Sequence, residues 1–222
     1  MKQSVIIVAG GSGTRMQLKL PKQFVEVSGK PIIIHTIEVF LSYNASIDVV
    51  LVLPEEHFET WNTIQEDFMP NQKITLAKGG KTRFQSVKAG LDLIQEGLVA
   101  IHDAVRPLVT TSVIGDCFDK AEQNGSGVAM VPLKDSIRKK EGDITRAEDR
   151  SLFYAVQTPQ TFRVDEIKAA FAVEERPEFT DDASVYEHSG RIVNAVEGDY
   201  QNLKVTTPED LILAEALLNI KS

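Results

Sequence analysis

The sequence predicts an α/β protein built on a doubly wound, mostly parallel sheet. Short, nearly continuous apolar runs recur along the chain, as in strands that are buried on both faces. Amphipathic stretches with helical spacing separate these runs, which favours parallel strands joined by helices. The 222 residues are enough to enclose one large core, so we expect a single domain over residues 1–222.

The predicted strands are the runs in which apolar and β-branched residues follow one another directly. They cover residues 5–9, 48–53, 73–77, 99–102, 127–132, 191–196 and 203–205. In a doubly wound sheet, ligands bind at the carboxyl ends of the strands. The residues that follow each run are therefore where we expect a functional site.

The predicted helices begin at residues that commonly start helices. They cover residues 31–41, 54–68, 81–97, 111–123 and 206–220. Pro31 stands in a first turn, where its missing N–H would have no helical partner in any case. Thr82 and Thr207 are candidate N-caps, and Pro208 follows Thr207 at the first helical position.

One stretch, DSIRKKEGDITRAEDRSLFYAVQTPQ at residues 135–160, interrupts the alternation of strands and helices. A Glu141-Gly142-Asp143 turn joins two polar segments of mixed charge, which indicates a long hairpin. A hairpin with so little apolar content is stable only when it packs on something. We expect a protruding β-arm over residues 135–157 that mediates dimerisation; the alternative is an exposed excursion.

The composition argues against two classes of partner. The net charge of −8 does not suit a nucleic-acid surface, which needs a basic footprint. No apolar run approaches the ~20 residues of a membrane span, so we expect no membrane partner. The one cysteine, Cys117, has no partner for an internal disulfide, which favours a cytoplasmic location.

The first predicted strand runs directly into a glycine-rich turn, VIIVAGGSGTRM at residues 5–16. It is not a dinucleotide fingerprint, because Met16 stands where the third glycine would be, and no lysine follows Gly13 as in a P-loop. Glycines at the start of a helix still favour phosphate binding, and Arg15 adds a planar cation. The alternative is a plain strand-to-helix turn with solvated basic residues.

Several motifs in order identify a resemblance. AGGSGTRM followed by PKQF resembles the signature of sugar-nucleotide pyrophosphorylases and cytidylyltransferases. The stretches GGKTRFQSV (79–87), HDAVRP (102–107), RSLFYAVQTPQ (150–160), FTDDASVYE (179–187) and NLKVTTPEDL (202–211) resemble the 2-C-methyl-D-erythritol 4-phosphate cytidylyltransferase family. The resemblance spans nearly the whole chain. It implies a Rossmann-like, nucleotide-diphospho-sugar transferase-like fold.

The resemblance also implies a reaction. CMP would pass from CTP to 2-C-methyl-D-erythritol 4-phosphate by in-line attack on the α-phosphate, giving 4-CDP-2-C-methyl-D-erythritol and pyrophosphate. The attacking phosphate monoester has a second pKa of ~6 and is already ionised near neutrality, so no general base is needed. We therefore do not expect His102 to act as a base.

Residue roles follow from the same resemblance. Arg15 and Lys22 would stabilise charge at the α-phosphorus, and Arg150 and Lys204 would position the acceptor phosphate. The implied nucleotide-binding residues are Ala9, Gly10, Gly11, Gly13, Thr14, Gly79, Gly80, Ser86, Asp103 and Ala104. The implied acceptor-binding residues are Asp103, Arg106, Ser136, Thr180 and Asp181. Arg83 is expected to shape the nucleotide loop, and Thr180 and Asp181 have a second interpretation as N-cap and first-turn acid.

The remaining expectations concern cofactor and assembly. Mg²⁺ or another divalent cation would be coordinated mainly by the CTP phosphates and water, and we assign it no protein ligand. The resemblance implies a homodimer in which Ser136 and Arg150 of each arm complete the other subunit's site.

Two alternative functions stay open at this point. D-ribitol-5-phosphate cytidylyltransferases share the PKQF segment and the CTP loop. A non-catalytic module that only binds CTP would also need the glycine-rich turn.

Overall fold

The computed structural model describes residues 1–10 and 20–221, which form an α/β sandwich. The strands are β1 Gln3–Val8, β2 Glu26–Val27, β3 Lys30–Pro31, β4 Asp48–Leu53, β5 Ile74–Lys78, β6 Leu98–Asp103, β7 Ser126–Pro132, β8 Ile137–Glu141, β9 Ile144–Glu148, β10 Tyr154–Arg163 and β11 Ala195–Glu197. The α-helices are α1 Ile32–Tyr43, α2 Phe58–Phe68, α3 Arg83–Asp92, α4 Thr111–Asn124, α5 Val164–Ala170, α6 Asp182–His188 and α7 Pro208–Lys221.

The central sheet has the mostly parallel arrangement that the sequence predicts. Its strand order is β11-β7-β10-β6-β1-β4-β5. Only β10, among the described strands of this sheet, runs antiparallel to its neighbours, β6 and β7. Val8 at the end of β1 is in register with Val52 of β4 and Asp103 of β6. The carboxyl ends of these three strands therefore form one edge, where the fold class places ligands.

Apolar side chains on the two faces of the sheet build two separate cores. Ile7 packs with α1 and α4 residues such as Phe40 and Phe118, whereas its neighbour Ile6 packs with Phe84 and Phe162 on the other face. Successive side chains of a strand point to opposite faces, so a run of apolar residues fills both cores. Across the described helices, none is long and apolar enough to cross a membrane.

The predicted strand over 203–205 is wrong, because its backbone groups serve other partners. Val205 donates one backbone hydrogen bond, to Val105. Its carbonyl oxygen accepts from Lys22, and the carbonyl oxygen of Asn202 accepts from Arg106. The segment is an extended rim of the site instead of a strand in the sheet.

Other boundaries also shift. The predicted strand over 191–196 is reduced to β11, and β10 was not predicted because buried glutamine and threonine side chains replace apolar ones in it. The helix predicted over 81–97 ends at Asp92. Its N-cap is Thr82, as predicted, since the threonine side chain accepts a hydrogen bond from Gln85.

The stretch over 135–157 contains a hairpin that stands apart from the main sheet. Strands β8 and β9 pair with each other antiparallel, and Gly142 turns between them with φ of 62°. From Glu141 to Val156 every residue is exposed. That the hairpin mediates dimerisation stays a prediction.

Candidate functional site

Two adjoining cavities open at the carboxyl ends of β1 and β6. The first is about 230 Å³, and its described lining is Val8, Ala9, Gly10, Lys22, Gln23, Lys81, Thr82, Arg83, Ser86, Asp103, Val105 and Lys204. The second is about 300 Å³, and its described lining is Arg83, Asp103, Arg106, Val156, Gln157, Thr158, Gln160, Thr180, Asp181 and Lys204. Arg83, Asp103 and Lys204 belong to both and form the wall between them.

Asp103 is the centre of this shared wall. Three cationic groups surround its carboxylate: Lys204 Nζ at 2.9 Å, Arg106 Nε at 3.4 Å and Arg83 Nε at 3.8 Å. Burial alone would raise the pKa of the Asp103 carboxyl, but Arg83, Lys204 and Arg106 outweigh it and hold the pKa well below its usual range. Asp103 is therefore ionised throughout the physiological pH range, and a cluster of positive charge faces both cavities.

The segment that follows Asn202 brings two predicted lysines together. Lys204 reaches Asp103, and Lys22 donates to the carbonyl oxygen of Val205 at 3.2 Å. Asp210 fixes the end of this segment by accepting from the backbone N–H groups of Thr206 and Thr207, both at 2.8 Å. Burial opposes ionisation of Asp210, but these hydrogen bonds prevail and lower its pKa. The start of α7 thus anchors the segment that carries Lys204.

The first cavity is bounded by the loop before α3. Ser86 Oγ donates to the carbonyl oxygen of Thr82 at 2.8 Å and accepts from the N–H of Gly80 at 3.1 Å. A Cβ at Gly80 would lie 2.3 Å from the Cβ of Gln85, so only glycine fits that approach. In this structure the Ser86 hydroxyl is engaged in holding its own loop, at the edge of the cavity.

Arg106 is held from three sides at the second cavity. Besides Asp103, its Nη1 donates to the carbonyl oxygen of Asn202 at 2.7 Å. Its own carbonyl oxygen lies 3.2 Å from Nε2 of His102, which must be the donor. Burial lowers the pKa of His102 to about 4, so the imidazole is neutral at pH 7 and serves as a fixed hydrogen-bond donor.

The opposite wall of the second cavity is the start of α6. Asp181 is the N-cap of this helix, accepting from Ser184 N–H at 2.9 Å, so the expectation that Thr180 is the cap is wrong by one residue. Gln160 of β10 donates to Asp181 at 2.9 Å and accepts from Ala183 N–H at 2.8 Å. Thr180 and Asp181 do line the cavity, as the resemblance implies for acceptor-binding residues.

Some predicted residues shape the site without lining it. Gly79, Gly80 and Ala104 are absent from the described lining of both cavities. Gly79 and Ala104 instead donate backbone hydrogen bonds to Leu53 and Val8, at the strand ends. Gly11, Gly13, Thr14 and Arg15 lie outside the described residues.

The two predicted residues of the arm do not reach the site of their own chain. Neither Ser136 nor Arg150 belongs to the described lining of the cavities. Arg150 donates instead to the carbonyl oxygen of Lys134, within the base of the arm.

Sequence reasoning missed the polar network behind the second cavity. Gln157 lines the cavity, while the side chain of Asn202 is buried and donates to the carbonyl oxygen of Thr158 at 2.8 Å. The Asn202 side chain also donates to Gln157 Oε1 at 3.3 Å. A run of polar residues around Pro159, flanked by Val156 and Phe162, was the available signal.

Metal binding can be tested against these donors. Within residues 1–10 and 20–221, no group of three or more His, Cys, Asp or Glu side chains could hold a metal ion. Asp103 is a carboxylate of both cavities, and three protein cations already neutralise it. The described residues therefore suit a cation that arrives with its own phosphate and water ligands.

Comparisons with known proteins agree with one another. The profile of the family described as 2-C-methyl-D-erythritol 4-phosphate cytidylyltransferase (IspD) matches residues 3–220. The proteins of that name from Bacteroides thetaiotaomicron and Porphyromonas gingivalis are 46% and 43% identical to this chain. The first alignment covers 98% of this chain and 100% of the relative, and the second covers 98% of each.

Solved structures give the same result. The 4-diphosphocytidyl-2C-methyl-D-erythritol synthase of Anaerococcus prevotii superposes with a TM-score of 0.83 at 29% identity, covering 98% of this chain and 96% of that one. The 2-C-methyl-D-erythritol 4-phosphate cytidylyltransferase of Thermus thermophilus superposes with a TM-score of 0.75 at 29% identity, covering 99% and 100%.

Proposed function

This chain belongs to the 2-C-methyl-D-erythritol 4-phosphate cytidylyltransferase family, and we propose how its residues carry out the reaction. The enzyme transfers CMP from CTP to 2-C-methyl-D-erythritol 4-phosphate, giving 4-CDP-2-C-methyl-D-erythritol and pyrophosphate. One observation carries the residue assignment. Asp103 and its three cations separate two cavities, which is the arrangement that a reaction between two phosphorylated substrates requires.

We assign the first cavity to CTP. The cytosine lies against the loop before α3, where Ser86 lines the cavity and its hydroxyl fixes the turn that Gly79 and Gly80 form. The triphosphate extends toward Gly10 and Lys22, and we assign Gly11, Gly13 and Thr14, which lie outside the described residues, to the same substrate. Exposed glycine N–H groups suit phosphate oxygens because no side chain separates them from the anion.

We assign the second cavity to the acceptor. Arg106, Thr180 and Asp181 line it, and Lys204 lies in the wall shared with the CTP cavity. A phosphate monoester held there by Arg106 and Lys204 presents an ionised oxygen to the α-phosphorus. That oxygen forms the new P–O bond, the bond from the α-phosphorus to its β-bridging oxygen breaks, and pyrophosphate leaves with the electron pair. No proton moves in this step, which explains why the neutral His102 is not needed as a base.

Lys22 and Arg15 supply the electrostatic part of catalysis. Negative charge accumulates on the oxygens around the α-phosphorus during attack, and fixed cations stabilise it more in the transition state than in the ground state. Removal of one group that stabilises such developing charge typically costs ~3–4 kcal/mol.

A divalent cation belongs to the same proposal. Mg²⁺ bound by the CTP phosphates and water would supply neutralisation of the phosphate charge. Asp103 is the residue whose carboxylate would approach it, once a substrate phosphate competes for Lys204.

The proposal includes a homodimer. The arm exposes apolar side chains, among them Leu152 at 76%, Tyr154 at 54% and Val156 at 44% of their full accessibility. Packing against a second copy would bury these side chains and would bring Ser136 and Arg150 to the partner's acceptor cavity. A cytoplasmic location also fits, because the buried Cys117 is a free thiol.

The test compares pyrophosphate release from CTP with 2-C-methyl-D-erythritol 4-phosphate and with D-ribitol 5-phosphate, each with Mg²⁺. We expect release with the first acceptor and none with the second. A preference for ribitol phosphate would move the acceptor assignment to the related enzymes. CTP binding without release in either case would support a binding module and contradict the proposal.

A further inference from the structure

Arg83 and Asp182 form a buried ion pair that the mechanism above does not use. Arg83 is the first residue of α3, directly after the N-cap Thr82. Asp182 is the first residue of α6, directly after the N-cap Asp181. The pair therefore joins the helix beside the CTP cavity to the helix beside the acceptor cavity.

The geometry of the pair is bidentate. Arg83 Nη1 and Nη2 donate to Asp182 Oδ1 and Oδ2, both at 2.7 Å. The Asp182 side chain is 1% exposed, and that of Arg83 is 30% exposed. Two parallel charge-assisted bonds fix both the distance and the orientation of the two groups, which a single lysine contact would not.

The same guanidinium faces the reacting region. Its third nitrogen, Nε, lies 3.8 Å from Asp103 Oδ1, and the side chain lines both cavities. One planar group thus contacts Asp182 on one edge and Asp103 on another. A shift of α6 relative to α3 would move Arg83 and change the cation cluster around Asp103.

Apolar packing lies next to the pair in the chain. The ring of Phe84 stacks on Phe171 and Phe179, with centroids 4.7 and 5.8 Å apart. These contacts hold α3 near the acceptor wall but do not specify its angle as hydrogen bonds do. The ion pair supplies the directional constraint.

We propose that Arg83 and Asp182 are positioning residues that set the distance between the CTP cavity and the acceptor cavity. The inference rests on the proposed function, since it assigns the two cavities to the two substrates. The pair aligns the attacking phosphate with the α-phosphorus, so its loss lowers kcat more than it raises either KM. A displacement of about 1 Å is enough to cost a large factor in rate.

The experiment measures kcat, both KM values and the melting temperature for Arg83→Lys and for the double variant Arg83→Met with Asp182→Leu. We expect kcat to fall about 10-fold or more in each, with both KM values changed less than about threefold. An apolar replacement of a buried ion pair is often neutral for stability, so the double variant should melt within a few degrees of the unaltered protein. Asp182→Asn provides a second single variant should the double variant not fold.

The matched control is Arg163→Lys. Arg163 pairs with Glu166 at 3.2 Å and has a side chain 36% exposed. It is the last residue of β10 and pairs with Leu98 at the start of β6, whereas the cavities lie at the other end of β6. We expect its kcat to stay at the level of the unaltered protein. A folded double variant or Arg83→Lys variant with unchanged kcat would show a purely structural pair and overturn the proposal. Absence of pyrophosphate release from the unaltered chain would instead overturn the proposed function, and this inference with it.

Discussion

The cluster around Asp103 and the arm over residues 135–157 both carry basic residues assigned to the acceptor phosphate, but they differ in what holds those residues. Arg106 donates to the Asp103 carboxylate, at the end of β6, and to the carbonyl oxygen of Asn202. Arg150 donates to Lys134, on a segment in which most side chains are exposed. The cations around Asp103 are therefore positioned by their own chain.

This difference shows which part of the site a single chain can complete. Arg106 and Asp103 are fixed because both charged groups have partners inside the fold. The arm has no core of its own, and a two-stranded hairpin is marginally stable without one. A second copy is therefore part of the proposed active site and not only an aid to stability.

The largest effect should come from a lysine that lines the CTP cavity and does not belong to the arm. In Lys22→Ala we expect kcat to fall about 10²–10³-fold, because a cation aimed at the developing charge is removed. The KM for CTP should change less than about threefold, since the remaining contacts to CTP stay. Steady-state pyrophosphate release measures both. Lys30→Ala, which removes a lysine paired with Glu38 on the surface, is the control and should leave kcat unchanged; equal losses in both variants would contradict the role of Lys22.

The next effect tests the arm. Arg150→Ala should lower kcat/KM for the acceptor about 10-fold or more, because a desolvated contact to a phosphate is lost. Mixing Arg150→Ala with Lys22→Ala subunits should restore about a quarter of full activity, since half of the dimers are mixed and each has one intact site. Refolding the two variants together and separately provides the measurement. No recovery on mixing would place Arg150 in its own chain's site and remove the distinction between the two regions.

A smaller effect concerns the surface that the arm buries. Leu152→Asp should weaken self-association about 10-fold or more, because an exposed leucine that packs in the dimer becomes a buried charge. Sedimentation at several concentrations measures it, and activity should become concentration-dependent. Ile192→Asp, at a similarly exposed isoleucine away from the arm, should change neither. Equally strong self-association in both variants would indicate that the arm does not contact a second subunit.

The smallest expected effect concerns His102, a buried residue next to Asp103. The pKa of His102 is about 4 in the folded protein and near 6.5 when unfolded, so the unfolded chain binds the extra proton between these values. The stability that His102 contributes is complete above pH 6.5 and falls as the pH drops toward 4, by about 2 kcal/mol between pH 7 and pH 5. His102→Gln keeps a donor for Arg106 and should lose less stability over that interval, as measured by urea unfolding. The pH dependence of kcat should be the same in His102→Gln as in the unaltered protein. Loss of an ionisation near neutrality from this profile would show that His102 acts as a base.

The fold and the family could be predicted from the sequence because their signals are local. Apolar runs such as residues 48–53 have one physical interpretation, and Thr82 stands three residues before the N–H that it caps. Motifs in fixed order then identified the family, which the comparisons confirm. The roles of individual residues stay predictions.

The parts that escaped prediction depend on contacts distant in the chain. Strand β10 is buried from Gln157 to Phe162 although polar side chains stand there. Gln160 pairs with Asp181, Gln157 with Asn202, and the Thr158 hydroxyl with the N–H of Asp103. The pairing of Arg83 with Asp182 spans 99 residues, and no pattern near Arg83 points to it. Residues 203–205 have strand-like composition, yet the carbonyl oxygen of Val205 accepts from the Lys22 side chain and its N–H donates to the carbonyl oxygen of Val105.

Strand β10 is continuous from the arm to the acceptor cavity. It begins at Tyr154 in the arm, passes Gln157 and Gln160 in the cavity wall, and ends at Arg163, which pairs with Leu98 at the start of β6. Arm and cavity wall are therefore two parts of one strand, although its pairing with β7 is interrupted between Val156 and Gln160. A displacement of one subunit's arm when its partner binds would act on the cavity wall of the same subunit through the backbone of β10, a linkage that no side chain has to provide.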